Sequence, residues 1–556
     1  MLHLDGSTLE GGGQLVRNAL ALSALTGRPV TINNIRGKRN GPRGLRRSHT
    51  AAIQFLTEVC GGRIVGATVG SSEITFYPRD TEDSNLNGAV GEDGAPPVPQ
   101  KRARLRPISL ALPIQSEYNI RLTTPGSIFL IFQALYPYLM YAGAKLHGHR
   151  EGVDDSSVSR VIKLNITGGT NISFSPSYDY VSQVLVPTFA RLGLPRLSVK
   201  LNCRGWSTGA VQIGSVSFEI EPLAISSAGR VTAGQSDTKE TGQHRTCRPK
   251  QEPAAGNPNR ESSRQTESSL AFTPKFPRIS LESLDPGYIT RVDITVLAPD
   301  TTLSQAAALK NSKKAHHRTR KNGKYMQHST HRSRGHYFKG SAISELEFAE
   351  DESEVLGPSM SGNSGLYESP ELQSVSVRSF LEDTATKSVT KALREFDNNH
   401  TPGAIKQPSP KETPIVRIHT TEPTYDPTHI YLLLVAHTST GFRLGRSQLY
   451  SEYKSGQGNK AHLVTLFREM INECVAGLME EFLVATNAGT NDVPKMGPKG
   501  CLDVFMRDQV IVFQALGALD EAKECSESGN TREEEGLSLH SRTAMWVSEQ
   551  VLGVRV

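Results

Sequence analysis

The chain has 556 residues, enough for roughly two to four domains, with 37% hydrophobic residues and a formal net charge of +6. That hydrophobic share lies below the roughly 45–50% of an ordinary globular chain, so part of the length is expected not to fold; the mild charge permits an anionic partner without requiring one. Six cysteines stand at 60, 203, 247, 474, 501 and 525 with no C-x-x-C pair, which argues against a zinc ribbon or redox dithiol. The start reads as no secretory signal and no apolar run reaches about 18 residues. Cytosol or nucleus is therefore expected, the Asn165-Ile166-Thr167 sequon is read as unused, and no membrane partner is expected.

Leu2 to Gly6 reads as a strand. It runs into Asp5-Gly6-Ser7-Thr8-Leu9-Glu10-Gly11-Gly12-Gly13-Gln14-Leu15-Val16-Arg17. Three glycines between a carboxylate and an amide, ahead of a helical pattern, let backbone N–H groups approach a phosphate. The spacing is neither that of a dinucleotide fingerprint nor that of a P-loop, so a tight structural bend is the competing reading. Leu15, Ala19, Leu22 and Leu25 make one helical stripe that Gly27 stops. Val30 to Ile35 is a strand. The loop Arg36 to His49 then holds six basic side chains and three glycines. Arginine forks suit phosphate oxygens, although composition alone equally fits a solvated loop. His49 to Cys60 is a helix, and Arg63 to Val69 and Glu73 to Tyr77 are strands. The order β-α-β-α-β-β recurs: strand 119–124, apolar helix 126–142, strand 163–167, helix 178–192, and strands 196–203 and 215–221.

After Leu223 the pattern thins. Residues 227–280 and 304–412 are rich in polar and charged side chains and read as disordered insertions. The second contains a basic run, 310–339, read as a solvated loop or as a nuclear-localisation or RNA-tethering segment. Order returns at 289–297, at 430–440 and in a long helix near 461–485. Asp503 to Leu519 and Thr543 to Leu552 read as helices, and Gly553 to Val556 as a terminal strand, the remains of a third β/α unit. Near this end stand Arg507-Asp508-Gln509 and Ser538-Leu539-His540-Ser541-Arg542-Thr543. His540 reads either as a surface or capping residue or as a nucleophile toward activated phosphorus. In the second role Asp508 can orient it or hold a metal.

Glu10-Gly-Gly-Gly-Gln14-x-x-Arg17, the Gly-Leu-Arg-x-x-His run ending at His49, Asp508-Gln509 and His540-x-x-Thr543 together resemble the RNA 3′-terminal phosphate cyclase family. Weaker matches lie at 70–76, 168–171, 179–180 and 438–441. The resemblance implies an α+β fold: three repeated β-α-β-α-β-β units, like the C-terminal domain of a translation initiation factor, plus a smaller inserted α+β domain interrupted by disordered segments. The main domain would comprise 1–222 and 498–556, and the inserted domain 223–497. The implied activity is ATP-dependent conversion of an RNA 3′-terminal phosphate to a 2′,3′-cyclic phosphate through histidyl-AMP and RNA-adenylate, with a divalent metal, magnesium or manganese. His540 matches the nucleophile. Glu10, Gly12, Gln14, Arg17, Arg39, Arg46, His49, Gln133, Phe505, Asp508 and Gln509 match the nucleotide and phosphate site, with Glu10 and Asp508 as metal ligands.

A related branch of the family, a ribosome-biogenesis factor, lacks both the histidine and the Glu-Gly-Gly-Gly turn. A catalytically inactive scaffold in ribosomal RNA processing is thus the alternative that this chain's residues disfavour. The chain departs from the family pattern at Trp206 to Ala210, where a Pro-x-Gly-Gly-Gly stretch is usual, and at Pro125, where alanine is usual. Phe505 replaces a tyrosine, and the loop Arg36 to His49 is one residue longer. The implied partners are ATP and an RNA with a 3′-phosphate end, and the implied location is the nucleus. Nothing in the sequence fixes the oligomeric state.

Overall fold

The computed structural model describes residues 1–39, 41–78, 102–108, 114–147, 161–224, 273–281, 284–308, 374–399, 413–450, 460–486, 500–519 and 537–556. It is a mixed α and β protein with three four-stranded sheets among those residues. In the first, β1 (Leu2–Asp5), β2 (Val30–Asn33), β3 (Arg63–Val65) and β4 (Ile74–Tyr77) lie in the order β1-β2-β4-β3. β1 is parallel to β2, and the other pairs are antiparallel. The helices Gly13–Thr26 and Arg47–Cys60 connect the strands, and each ends on a left-handed glycine, Gly27 and Gly61.

The second sheet has the same order and senses. β5 (Glu117–Arg121), β6 (Ile162–Gly168), β7 (Leu197–Cys203) and β8 (Gly214–Ile220) are arranged β5-β6-β8-β7. Its first helix, Ile128–Ala142, is capped by Ser127, whose Oγ accepts from the Leu130 N–H. It is buried on almost every side, as its unbroken apolar run predicts. The helices of both units pack into one core that includes Leu15, Leu22, Phe132, Tyr136 and Phe218.

The third sheet comprises β9 (Ile289–Pro299), β10 (Ile415–Thr424), β11 (Tyr431–Thr438) and β12 (Arg443–Leu449), in the order β10-β9-β11-β12. Its pairing senses repeat those of the first two sheets, but its connections do not. One face packs on the helices Val377–Asn399 and Lys460–Thr486 around a separate core. The helix Val377–Asn399 lies inside the stretch 304–412 that composition reads as disordered. Val377, Phe380, Leu381, Ala385, Val389 and Leu393 are buried along one stripe of it, and this tertiary contact stabilises a helix whose own sequence is mostly polar. Phe276 and Ile279 are likewise buried in the main core, within the other stretch read as disordered. Apart from 273–280, 304–308 and 374–399, both stretches, with the whole basic run 310–339, lie outside the described residues.

At the C-terminal end the structure shows the helices Val504–Gly517 and Leu539–Leu552. Gly553–Val556 forms no strand, contrary to the sequence reading. After the left-handed cap at Gly553 no neighbouring ladder takes these residues up, although Val554 is buried. Several links tie the inserted sheet to the main domain, among them two at 204–206. Arg204 bonds Asp179 and Glu422 together, and Trp206 stacks on His429 at 4.6 Å. The departure at Trp206 therefore fills a domain junction.

Candidate functional site

The glycine turn is fixed by sterics. Gly11 has φ +63°, a conformation that costs any other residue free energy. A Cβ at Gly12 would strike the Glu10 carboxylate, and one at Gly13 would strike the His49 ring. Gly12 then caps the helix Gly13–Thr26 in extended conformation. The Glu10 carboxylate accepts the Gly12 N–H at 3.2 Å and pairs with the Arg39 guanidinium. The backbone N–H of Glu10 donates to Thr543 Oγ1 at 3.2 Å, which ties the turn to the helix that carries His540.

His540 stands at the first turn of that helix with its side chain 52% exposed. Its Nδ1 lies 2.8 Å from Gln14 Oε1 and 3.7 Å from Glu10 Oε2. The amide oxygen can only accept, so Nδ1 carries a proton, and in the neutral imidazole the lone pair then stands on Nε2. Asp508 interacts with His540 through charge. Its Oδ1 accepts from Ser538 Oγ at 3.1 Å and Ser541 Oγ at 2.5 Å, so it anchors the turn on which His540 stands. Burial pushes the Asp508 carboxyl above the ordinary range.

Arg17 is buried behind the turn and donates through Nε to Gln133 Oε1 at 3.1 Å. Burial, and then Arg36, lower its pKa to about 10. His49 is also buried, and its Nδ1 accepts the Arg46 N–H at 3.2 Å. Burial first, then the charges of Arg17, Arg36 and Arg46, hold the imidazole neutral well below the usual histidine range. Four guanidiniums, on Arg17, Arg36, Arg39 and Arg46, thus share this region with the Glu10 carboxylate, an environment that favours a bound anion. Arg36 was not singled out from the sequence. Its backbone φ of +59° is the sort of strain that collects at binding loops, and a linear sequence does not display it.

Gln133 and Gln509 line one cleft with Asn18, Tyr136, Phe189 and Phe513. Phe505 lies one turn before Asp508 and is 42% exposed. Its ring meets Tyr180 edge-on at 6.0 Å, and the Arg446 guanidinium sits 5.6 Å from its centre. It is not bonded to the glycine turn. Glu10, Gly12, Gln14, Arg17, Arg39, Arg46, His49, Gln133, Asp508 and His540 are thus joined by a connected set of contacts, Gln509 reaches them through the cleft, and Phe505 flanks them. Glu10 and Asp508 fit a resident metal ion poorly. The oxygens of Glu10 are engaged by a guanidinium and an N–H, and Oδ1 of Asp508 by two hydroxyls. Among the described residues no three histidine, cysteine or carboxylate side chains gather as ligands.

Fold and site together define a mixed α and β protein in which several guanidiniums gather beside a glycine turn and an exposed imidazole. A model of the RNA 3′-terminal phosphate cyclase family matches residues 8–556, and the chain belongs to that family. It is 34% identical over 236 residues to an RNA 3′-terminal phosphate cyclase of Desulfurococcus amylolyticus, covering 42% of this chain and 52% of the relative. A protein of the same description from Methanosarcina mazei is 32% identical over 225 residues, 40% of this chain and 49% of the relative. One from Pyrococcus furiosus is 33% identical over 205 residues, 37% and 45%. The chain spans about half the length of the curated relatives it matches. No described helix is long and apolar enough to cross a membrane.

Proposed function

We propose that this protein converts an RNA 3′-terminal phosphate to a 2′,3′-cyclic phosphate at the expense of ATP, with His540 as the nucleophile. The observation that carries this reading is the Gln14–His540 hydrogen bond, which in the neutral imidazole directs the lone pair to Nε2, beside an arginine-lined turn. Nε2 attacks the α-phosphorus of ATP, the N–P bond forms, and pyrophosphate leaves with the electrons of the broken P–O bond. An oxygen of the RNA 3′-phosphate next attacks the same phosphorus, breaking the N–P bond and regenerating the imidazole. The vicinal 2′-hydroxyl then attacks the 3′-phosphorus, loses its proton and expels AMP. That hydroxyl requirement selects RNA over DNA. Arg17, Arg36, Arg39 and Arg46 supply positive charge where the phosphates crowd. A divalent ion would arrive on the triphosphate, and none of these steps depends on a protein-held one. The like-ordered first two sheets support a main domain grown by repetition of one unit.

Incubation with α-labelled ATP in the absence of RNA tests the reading. An acid-labile, alkali-stable adenylate on the protein is expected, and His540→Ala is expected to remove it. A folded, ATP-binding wild type that never labels would overturn the cyclase reading in favour of a scaffold. Undiminished labelling of His540→Ala would move the nucleophile elsewhere.

A further inference from the structure

The inserted sheet has two unlike faces. Val292, Ile294 and Val296 of β9 turn to the two helices and their core. The alternate residues face the main domain: Leu297 joins the main core and Thr295 Oγ1 accepts from Gln183 Nε2 at 2.9 Å. Toward the start of β9 this same face emerges from the junction, and its composition becomes cationic. Arg291 on β9, His437 on β11 and Arg443 on β12 are register partners in one row across the sheet. Arg417 and His419 of β10 stand beside them.

All five surround one buried carboxylate. Asp293 is 3% exposed. Arg417 Nε donates to its Oδ1 at 2.7 Å, Arg291 Nε lies 2.9 Å from the same oxygen as an ion pair, and His437 Nε2 approaches Oδ2 at 2.9 Å. His419 Nδ1 is 4.0 Å from Oδ2. Arg291 Nη2 in turn lies 3.1 Å from His437 Nδ1, so the neutral imidazole bridges carboxylate and guanidinium. A buried carboxylate is neutralised by one cation. Here three guanidiniums converge, and the side chains of Arg417, His419 and Arg291 are 49%, 40% and 33% exposed. The local potential stays positive in spite of Asp293. The His437 imidazole is depressed to about 4, first by burial and then, against the pull of Asp293, by Arg291 and Arg443.

The row is long and open. Three strand spacings of about 4.8 Å separate β10 from β12, so the row spans about 14 Å, room for more than one phosphate of a single strand. It also adjoins the site described above. Two residues beyond Arg443, the Gly445 N–H donates to Asp503 Oδ2 at 2.7 Å, and Asp503 caps the helix that carries Phe505 and Asp508.

We propose that this face is a second contact for the RNA: Arg291 and Arg417, held in place by Asp293, bind backbone phosphates of the strand upstream of its reacting 3′ end, while Arg443 is tied to the Gln183 carbonyl. The inference rests on the reading of the protein as an RNA-end enzyme, and the test keeps the two separable. Wild type, Arg417→Ala and the pair Arg291→Ala/Arg417→Ala are compared on 3′-phosphorylated RNA of about 15 and about 3 nucleotides, lengths chosen around the size of single-strand sites. Affinity is read by anisotropy across a salt series, and adenylation is read without RNA. The expected result for the pair is unchanged adenylation, unchanged binding of the short RNA, and at least fivefold weaker binding of the long RNA. The log–log salt slope for the long RNA should fall by about 1.4, at about 0.7 per lost single-strand contact. For the exposed Arg417→Ala alone the slope should fall by about 0.7, which preserves the test if the pair misfolds. Variants that adenylate normally and bind the long RNA with wild-type affinity and slope would overturn the proposal. A protein that binds long RNA through these arginines yet never adenylates would instead overturn the cyclase reading and leave this contact standing.

Discussion

Gln14 Oε1 and His540 Nδ1, 2.8 Å apart, join residues separated by 526 positions. The bond matters because an imidazole has two tautomers and only one leaves Nε2 free to attack. Gln14 itself is buried at the first turn of the helix behind the glycine block, so its amide has little freedom to turn away. Gln14→Leu keeps most of the volume and removes the acceptor. Self-adenylation of that variant is expected to slow by about 10- to 100-fold, the usual consequence of removing the partner that orients a functional imidazole, with its melting temperature nearly unchanged. A labelling rate within twofold of wild type would show that the tautomer is set by something else. At this scale half of the site is legible in the sequence. Gly11 and Gly12 announce themselves because their need is local: a positive φ, and a Cβ that would displace the Glu10 carboxylate two residues away. The partnership of Gln14 with His540 is not local, and no periodicity or spacing encodes it; only the family resemblance put both residues on one list. Even that list left the imidazole's partners open, and the structure adds Gln14 Oε1 at 2.8 Å from Nδ1.

The helices that bear the site are held from their N-terminal ends. Asp503 caps Val504–Gly517, and it does more than a surface cap. Its Oδ1 accepts from the Met506 N–H at 2.9 Å and the Tyr180 hydroxyl at 2.6 Å, and its Oδ2 accepts from the Gly445 N–H at 2.7 Å. One buried carboxylate thereby joins a main-domain helix, the inserted sheet and the helix of Asp508. Removing it orphans three donors in a place water does not reach. Asp503→Ala is expected to cost about 2–4 kcal/mol, from the lost cap and the unsatisfied donors, seen as a lower midpoint in urea unfolding. Asp503→Asn, which keeps the acceptor toward Met506, should lose less. Equal stability of Asp503→Ala and wild type would refute this account. Amphipathic elements were legible here. Gly13–Thr26, Arg47–Cys60 and Ile128–Ala142 carry dense apolar stripes or runs and unmistakable stops. The helix Val377–Asn399 and the strands β10 and β12 were not, because their apolar residues are sparse. β10 is an edge strand with alternate residues exposed, and β12 carries Gly445 in its interior. Each of the three gains order from the neighbour it packs on, and local sequence does not contain that neighbour.

At the scale of the whole molecule the question is which parts of a 556-residue chain the site needs. Composition drew the boundary of the second dispensable stretch at 304–412; packing redraws it. The helix Val377–Asn399 contributes Val377, Leu381, Ala385 and Val389 to the core beneath the inserted sheet, so a deletion running to 412 removes one wall of that core. A deletion of 309–373 removes none of the described residues of that core. The two ends it leaves are already neighbours: the Leu303 N–H donates to the Val375 carbonyl at 3.2 Å, and the Val377 N–H to the Thr301 carbonyl at 2.9 Å. Residues 303–308 form one short helical segment, about 9 Å long at 1.5 Å per residue. A glycine-serine linker of about six to eight residues therefore closes the gap without strain. The linker variant is expected to melt within a few degrees of wild type and to adenylate His540 at an undiminished rate. Deletion of 304–412 is expected to expose the apolar faces of β9 and of the helix Lys460–Thr486, and to abolish cooperative unfolding of the inserted domain. Calorimetry on the two variants, with labelling measured in parallel, decides between the boundaries. Equal tolerance of both deletions would return the helix Val377–Asn399 to the dispensable part of the chain, and loss of folding on the shorter deletion would place a structural role within 309–373.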